Sequence, residues 1–261
     1  IIKTELALSR NDNDLEVILL EEPENHLSHS NMKKLIQKIS SSDNKQIFIA
    51  THSDLISTRL DLRKSILLNS TTTQSLKLNA LPEDTAKFFI KAPDNNILEF
   101  ILSKKVILVE GDAEYILAEA LFKNATGEEI QNCEVHIISV DGTSFKRYLD
   151  IAKILKIKTA VIRDNDGKYQ ENCLDRYSDY HIDNIKVFAD TDNSRTTFEI
   201  CIYQDNKTIC EGLFQAGRKT LTVPEYMIAN KAEVAYTLLN EKGSEIVSPQ
   251  YITDALKWIK E

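Results

Sequence analysis

Apolar and polar positions along the chain fall into short alternating blocks. "EVILLEE" (16–22) is an apolar run that closes on two acids, "SHSNMKKLIQKISS" (28–41) is amphipathic at helical spacing, and "KQIFIATHS" (45–53) is a second apolar run. Strand, helix and strand in that order predict a βαβ unit, and such units build parallel sheets. After "SILLNS" the stretch "STTTQSLKLNALPEDTAKFFIKAPDNNI" is polar and turn-rich, with Pro82 and Pro93, and predicts a domain boundary between residues 85 and 100. The alternation then restarts: strand 105–110, helix 113–123, strand 134–140, helix 144–155 and strand 158–163, each strand ending in polar residues. The pattern is that of an α/β protein with no internal repeat.

Composition narrows the class without naming a function. The 261 residues are 42% hydrophobic and 28% charged, as in globular proteins, and no apolar run approaches the roughly 20 residues of a membrane span. Neither a signal peptide nor a membrane partner is expected, and with Ile at position 1 the chain reads as a fragment or a processed product. Cys133, Cys173, Cys201 and Cys210 form no CxxC pair and have no His at ligand spacing, which predicts reduced thiols, no structural zinc and a cytoplasmic location. A net charge of −8 argues against a protein that coats nucleic acid, yet leaves a nuclease open, because a carboxylate-lined metal site adds negative charge of its own. "SKK" (103–105), "SFKRY" (144–148) and "GRK" (217–219) offer local basic patches.

In the first half, "VILLEEPENHLS" is an apolar strand ending in two acids, the form in which a Walker B strand presents one carboxylate to nucleotide-bound Mg²⁺ and the next to the attacking water. Glu21 would take the metal side and Glu22 the base. Thirty residues after Glu22, "ATHSD" places His52 where a histidine could sense the γ-phosphate. Each feature alone also suits a solvated strand end or a structural histidine; EEPENHL, helix and THS together are more specific. Residues 15–60 resemble the C-terminal lobe of an ABC-type ATPase head. That likeness implies a phosphate loop, and no GxxxxGK[ST] occurs: "GLFQAGRKT" (212–220) inserts an Arg before its Lys, and Glu21 stands where Asp is usual. The chain as given is not expected to hydrolyse ATP.

In the second half, "VILVEGDAEYIL" (106–117) runs a buried strand into Glu110, Asp112 and Glu114. Asp112 can cap the following helix and Glu114 suits its first turn, but capping does not explain Glu110. "TAVIRDNDG" (159–167) ends another apolar strand in Asp164 and Asp166, whose i, i+2 spacing would point both carboxylates the same way in an extended chain. A turn explains the same residues, whereas an EF-hand is excluded by Tyr169 at its required Gly. In one parallel sheet the two strands end on the same edge, where open α/β sheets place their sites, and the hard oxygen donors suit Mg²⁺ or Mn²⁺.

Strand-EGxxE followed by strand-DxD resembles the Toprim fold. "FILSKKVILVEGDAEYIL", "GTSFKRYLDIAKILKIKTAVIRDNDG", "TTFEICI", "NKAEVAYTLL" and "SPQYITDALKWI" are, in that order, similar to the OLD (overcoming lysogenization defect) nucleases, whose relatives include the Gabija-type defence nucleases. The resemblance implies an ATPase part over 1–92, a Toprim domain over 100–225 with a mainly parallel sheet, and a helical end over 226–261. It implies Glu110, Glu114, Asp164 and Asp166 as ligands of one or two Mg²⁺ or Mn²⁺ ions, Glu110 in the catalytic set, Glu199 as a further ligand, and Lys231 as the charge that stabilises the phosphate. From the sequence alone Glu199 reads as a strand residue and Lys231 as a solvated helix lysine, while Arg163 and Lys168, which flank the DxD, read as solvated charges or as contacts to DNA phosphate. "SVDGTSF" departs from the family's Gly-Gly-Thr through Asp141, whose role stays open. The implied function is metal-dependent DNA cleavage in phage defence or repair. ATP would serve the full-length protein, with a homo-oligomer through the ATPase head and an accessory defence protein as partners. The other readings are a non-hydrolytic Toprim DNA-binding or assembly module, and a repair ATPase in which the Toprim part docks partners.

Overall fold

The computed structural model describes residues 17–25, 27–41, 45–68, 76–92, 96–140, 144–217 and 220–261. The chain divides into two compact units, residues 1–99 and 100–261. Asp141 lies outside the described residues.

In the first unit β1 (Val17–Glu21), α1 (His29–Ser40) and β2 (Gln46–Ala50) form the expected βαβ turn of chain, with β1 and β2 parallel in register from Val17↔Gln46 to Glu21↔Ala50. Ser28 starts α1 by accepting the amide of Asn31, the ordinary satisfaction of a free helix-end donor. Met32 and Ile36, one helical turn apart, bury against Ile56 of α2 (Asp54–Arg59). A two-strand antiparallel pair follows, β3 (Ile66–Leu67) with β4 (Leu76–Lys77). The stretch that reads as polar and turn-rich holds α3 (Glu83–Lys91). Its Thr85, Ala86 and Phe89 are buried at helical spacing, with Glu83 and Asp84 in the first turn and Lys91 in the last. Both ends suit the helix dipole, and Arg59 donates to the Ile90 carbonyl at 2.6 Å to hold α3 beside α2. α4 (Ile97–Leu102) spans the boundary between the units.

The second unit is built on four parallel strands in the order β6-β5-β7-β8: β5 (Lys105–Val109), β6 (Val135–Ser139), β7 (Lys158–Ile162) and β8 (Ile185–Phe188). Between them run α5 (Asp112–Thr126) and α6 (Phe145–Leu155). Central strands β5 and β7 are buried on both faces, which is why "VILV" and "AVI" are unbroken apolar runs, while the flanking β6 and β8 mix buried and open positions. From β5 the chain crosses to β6 on one side and then returns to place β7 on the other. The strand order therefore reverses between β5 and β7, and the crevice beyond their C-terminal ends is where open α/β sheets bind ligands. After β8, five α-helices follow among the described residues: α7 (Phe198–Asp205), α8 (Lys207–Phe214), α9 (Val223–Ala229), α10 (Lys231–Lys242) and α11 (Gln250–Lys260). Their apolar faces join one core with β5, β7 and α5, including Leu117, Leu121, Cys201, Ile202, Leu238 and Leu256. Gly212 sits inside α8, so "GLFQAGRKT" begins as helix and not as a strand–phosphate loop. All four cysteines are free. Among the described residues no helix is long and apolar enough to cross a membrane.

Candidate metal centre

Glu110 follows β5 directly and Asp164 stands two residues beyond β7, so the reversal of strand order brings the two acids to one crevice. The Asp164 backbone N–H donates to Glu110 Oε1 at 3.3 Å across the strand ends. Glu114 enters from the first turn of α5 and is buried. That helix is capped by Gly111 without a side-chain bond; Asp112 is its first residue and not the cap that the sequence suggests. Glu199 enters from the first turn of α7, 2% exposed. It lies on a helix and not on a strand: Thr197 accepts the Ile200 amide, and Asp164 Oδ1 accepts the Phe198 amide at 2.7 Å, so two free donors at the start of α7 are satisfied. Lys231 is the first residue of α10 and its Nζ lies 3.1 Å from Glu199 Oε1. A cation at a helix N-terminus opposes the backbone dipole. It stands there half-buried because carboxylates face it, not as the solvated lysine that composition suggests.

The electrostatics follow from this crowding. Burial, then repulsion from Glu110, Glu114 and Glu199, pushes Asp164 up to about 8 despite the opposing charge of Lys231. Burial raises Glu114 to about 7, with Glu199 and Glu110 adding repulsion. Burial also raises Glu110, against the pull of Arg163. For Lys231 burial disfavours the ammonium, but Glu199, Asp164 and Glu114 outweigh it and hold the pKa up. Both carboxylate oxygens of Glu199 are buried; the Lys231 ammonium faces Oε1, and Oε2 has no hydrogen-bond partner. An unpartnered buried carboxylate oxygen among other acids is the kind of oxygen ligand that fits a hard divalent cation.

Asp166 departs from the expectation of a side-by-side DxD pair. β7 ends at Ile162, and Asp166 takes a left-handed φ of 50°, so the extended alternation is broken before it reaches that residue. Its carboxylate is largely exposed and pairs with Arg163 Nη2 at 3.3 Å. Arg163 itself is buried. Its Nε donates to the Asp164 carbonyl at 2.9 Å and lies 3.6 Å from Glu110 Oε1, and its Nη1 donates to the Tyr177 hydroxyl at 3.2 Å. Lys168 is exposed and pairs with Glu171. No three of Glu110, Glu114, Asp164, Asp166 and Glu199 bring ligand atoms all within 4.8 Å of one another.

Among the described residues that distance is met by one group, in the first unit: Glu22, Glu24 and His52. Glu21 ends β1 exposed and is not part of it. His52 Nδ1 pairs with Glu22, and the hydrogen bond and charge of Glu22 raise its pKa. Glu24 accepts the Thr51 hydroxyl and, at 3.2 Å, the His52 amide. Sequence reading missed Glu24; the signal was the third acid of "EEPE" beside a turn, which Glu22 makes with a left-handed φ of 44°.

Residues 101–166 match the family model described as "Overcoming lysogenization defect protein-like, TOPRIM domain", and residues 6–58 match "AAA domain, putative AbiEii toxin, Type IV TA system". Glu199 and Lys231 lie beyond the matched Toprim stretch. The Old nuclease of Escherichia phage P2 is 25% identical over 176 residues, 63% of this chain, and the chain spans 30% of that relative's length. The C-terminal region of the Burkholderia pseudomallei OLD protein aligns at 19% identity over 60% of this chain and 97% of its own, with a TM-score of 0.45. The corresponding region from Xanthomonas campestris pv. campestris aligns at 20% over 60% and 94%, with a TM-score of 0.42. The chain is thus similar to an OLD-like Toprim domain over residues 101–166 and to an AAA domain over residues 6–58, and 63% of it aligns with an Old nuclease.

Proposed function

We propose that the second unit is a divalent-metal-dependent DNA nuclease, with Glu110, Glu114, Asp164, Asp166 and Glu199 as the residues that would hold Mg²⁺ or Mn²⁺ and Lys231 as the cation that meets the scissile phosphate. The observation that carries this is the gathering of four mutually repelling carboxylates about Lys231, where the strand order reverses. When bound, the metal polarises a phosphodiester and activates water. Asp164 is held by the Phe198 amide and Glu110 by the Asp164 amide, so both carboxylates are oriented in advance. Lys231 is placed by Glu199 and would offset charge developing on the phosphate. The printed name of the phage P2 relative, a nuclease, supports the same reading. For the first unit, Glu21, Glu22 and His52 are proposed to serve nucleotide in a longer chain, with assembly through that part.

Plasmid cleavage tests the reading. The chain should nick or cut DNA with Mn²⁺ and without ATP, more slowly with Ca²⁺, and Asp164→Ala should abolish cleavage while the fold persists. Lys231→Ala should slow it by on the order of 10²-fold, the usual effect of losing one electrostatic contact. The wide spacing of the acids favours one rival, a Toprim module that binds DNA or assembles without hydrolysis. Mn²⁺ binding without cleavage of supercoiled, linear or single-stranded DNA would select that rival.

A further inference from the structure

Asn165, the middle residue of the DxD stretch, is 1% exposed and has no role in the chemistry above. Its Oδ1 accepts the Gly167 amide at 2.7 Å, the local bond by which Asn builds turns. The amide nitrogen does something a turn does not need. It lies at 2.8 Å from the carbonyl oxygen of Asp190, 3.0 Å from that of Asp192 and 3.3 Å from that of Arg195. All three belong to the segment that leads from β8 to α7. Two further bonds fasten the same edges: the Asp166 amide donates to the Thr196 carbonyl at 3.1 Å, and the Phe198 amide donates to Asp164 at 2.7 Å. Glu199 is the next residue. The DxD turn and the loop whose carbonyls converge on one side-chain amide are thus joined immediately before Glu199.

We infer that Asn165 is a positioning residue, which sets Glu199 against Glu114 and Asp164 and so assembles the cation-binding cluster from two separate chain segments. The inference rests on the metal-site reading of those acids. Asp at this position would keep the acceptor for Gly167 but set an oxygen against three carbonyl oxygens. Ala would leave the three carbonyls without their shared donor. Either change removes the Asn165 tie between the DxD turn and the loop, which Arg195 still holds to Asp190 and to Asp205 of α7, while β5 and β7 stay paired in the sheet.

The test is a double-mutant cycle on the full chain, read as Mn²⁺ affinity by calorimetry and as the paramagnetic resonance spectrum of bound Mn²⁺, well below each variant's melting temperature. Asn165→Ala and Glu199→Gln should each weaken Mn²⁺ binding tenfold or more and change the spectrum in the same way. The double variant should bind no more weakly than Glu199→Gln, since both act through one carboxylate. Asn165→Asp provides the same comparison if the Ala variant does not fold. Independent, multiplying losses would overturn the inference, as would an Asn165 variant that binds like the wild type while Glu199→Gln does not; either result leaves the metal-site reading standing. Binding unchanged after Glu199→Gln overturns the inference alone, whereas a wild-type chain that binds no Mn²⁺ overturns both.

Discussion

At the scale of single residues, Glu114 and Asp164 are the informative groups, because their protonation differs between folded and unfolded chains. Unfolded carboxyls release their protons near pH 4. In the fold, burial and mutual repulsion hold Glu114 up to about 7 and Asp164 up to about 8. Between those limits the folded state binds more protons than the unfolded one. The stability these two groups contribute is thus present at low pH and lost as pH rises through the folded values. Glu114→Gln, a neutral isostere, should therefore melt like the wild type near pH 5 in EDTA and above it near pH 8.5, at about 2–4 °C per kcal/mol for a domain of this size. Melting differences that are equal at both pH values would show that Glu114 is not ionised at a cost. Arg163 is the counterexample among the charges. Sequence spacing reads it as solvated, yet it is buried between Glu110, Asp166 and Tyr177, and nothing in a run of apolar residues announces a cation at its end.

At the scale of elements, strands were the legible part, since "VILV" and "TAVI" are buried on both faces and carry the simplest of patterns. α7 is not legible as a helix because "TTFEICI" is short and β-branched, whereas in the fold its first amides are taken up by Thr197 and Asp164 and its Phe198, Cys201 and Ile202 are buried. α3 hid in polar sequence for a related reason: three buried residues suffice for one face when the rest meets solvent. The DxD turn was legible as a candidate and not as a geometry, because the left-handed φ of Asp166 depends on contacts from Thr196, thirty residues away. α5 offers a clean test of end geometry. Gly127 closes it at φ 75° with open space where a Cβ would be, so Gly127→Ala meets only the conformational cost. It should lose about 1–2 kcal/mol of stability and leave Mn²⁺ affinity alone, in denaturant unfolding and calorimetry respectively. A loss of affinity would mean that α5 adjusts Glu114 along its whole length.

At the scale of the whole chain, two groups of acids compete as cation sites, one in each compact unit. Glu22, Glu24 and His52 already satisfy a ligand spacing, whereas the acids around Lys231 are more numerous, more buried and more mutually repulsive. A ligand that binds only the native state stabilises the unit that holds it, by about 2.7 kcal/mol at a hundred times its Kd. Calorimetric melting with Mn²⁺ should therefore raise the transition of residues 100–261, assigned by the Gly127→Ala shift, and leave that of residues 1–99 in place. The rise should be larger at pH 8.5 than at pH 5.5, since Glu114 and Asp164 must give up protons before they can coordinate a cation. Asp164→Asn with Asp166→Asn should raise the metal-free transition, because repulsion falls, and should remove the response to Mn²⁺. If Mn²⁺ instead shifts the transition of residues 1–99, and His52→Ala but not the double Asn variant abolishes that shift, the cation belongs to Glu22, Glu24 and His52, and the nuclease reading of the second unit loses its cofactor.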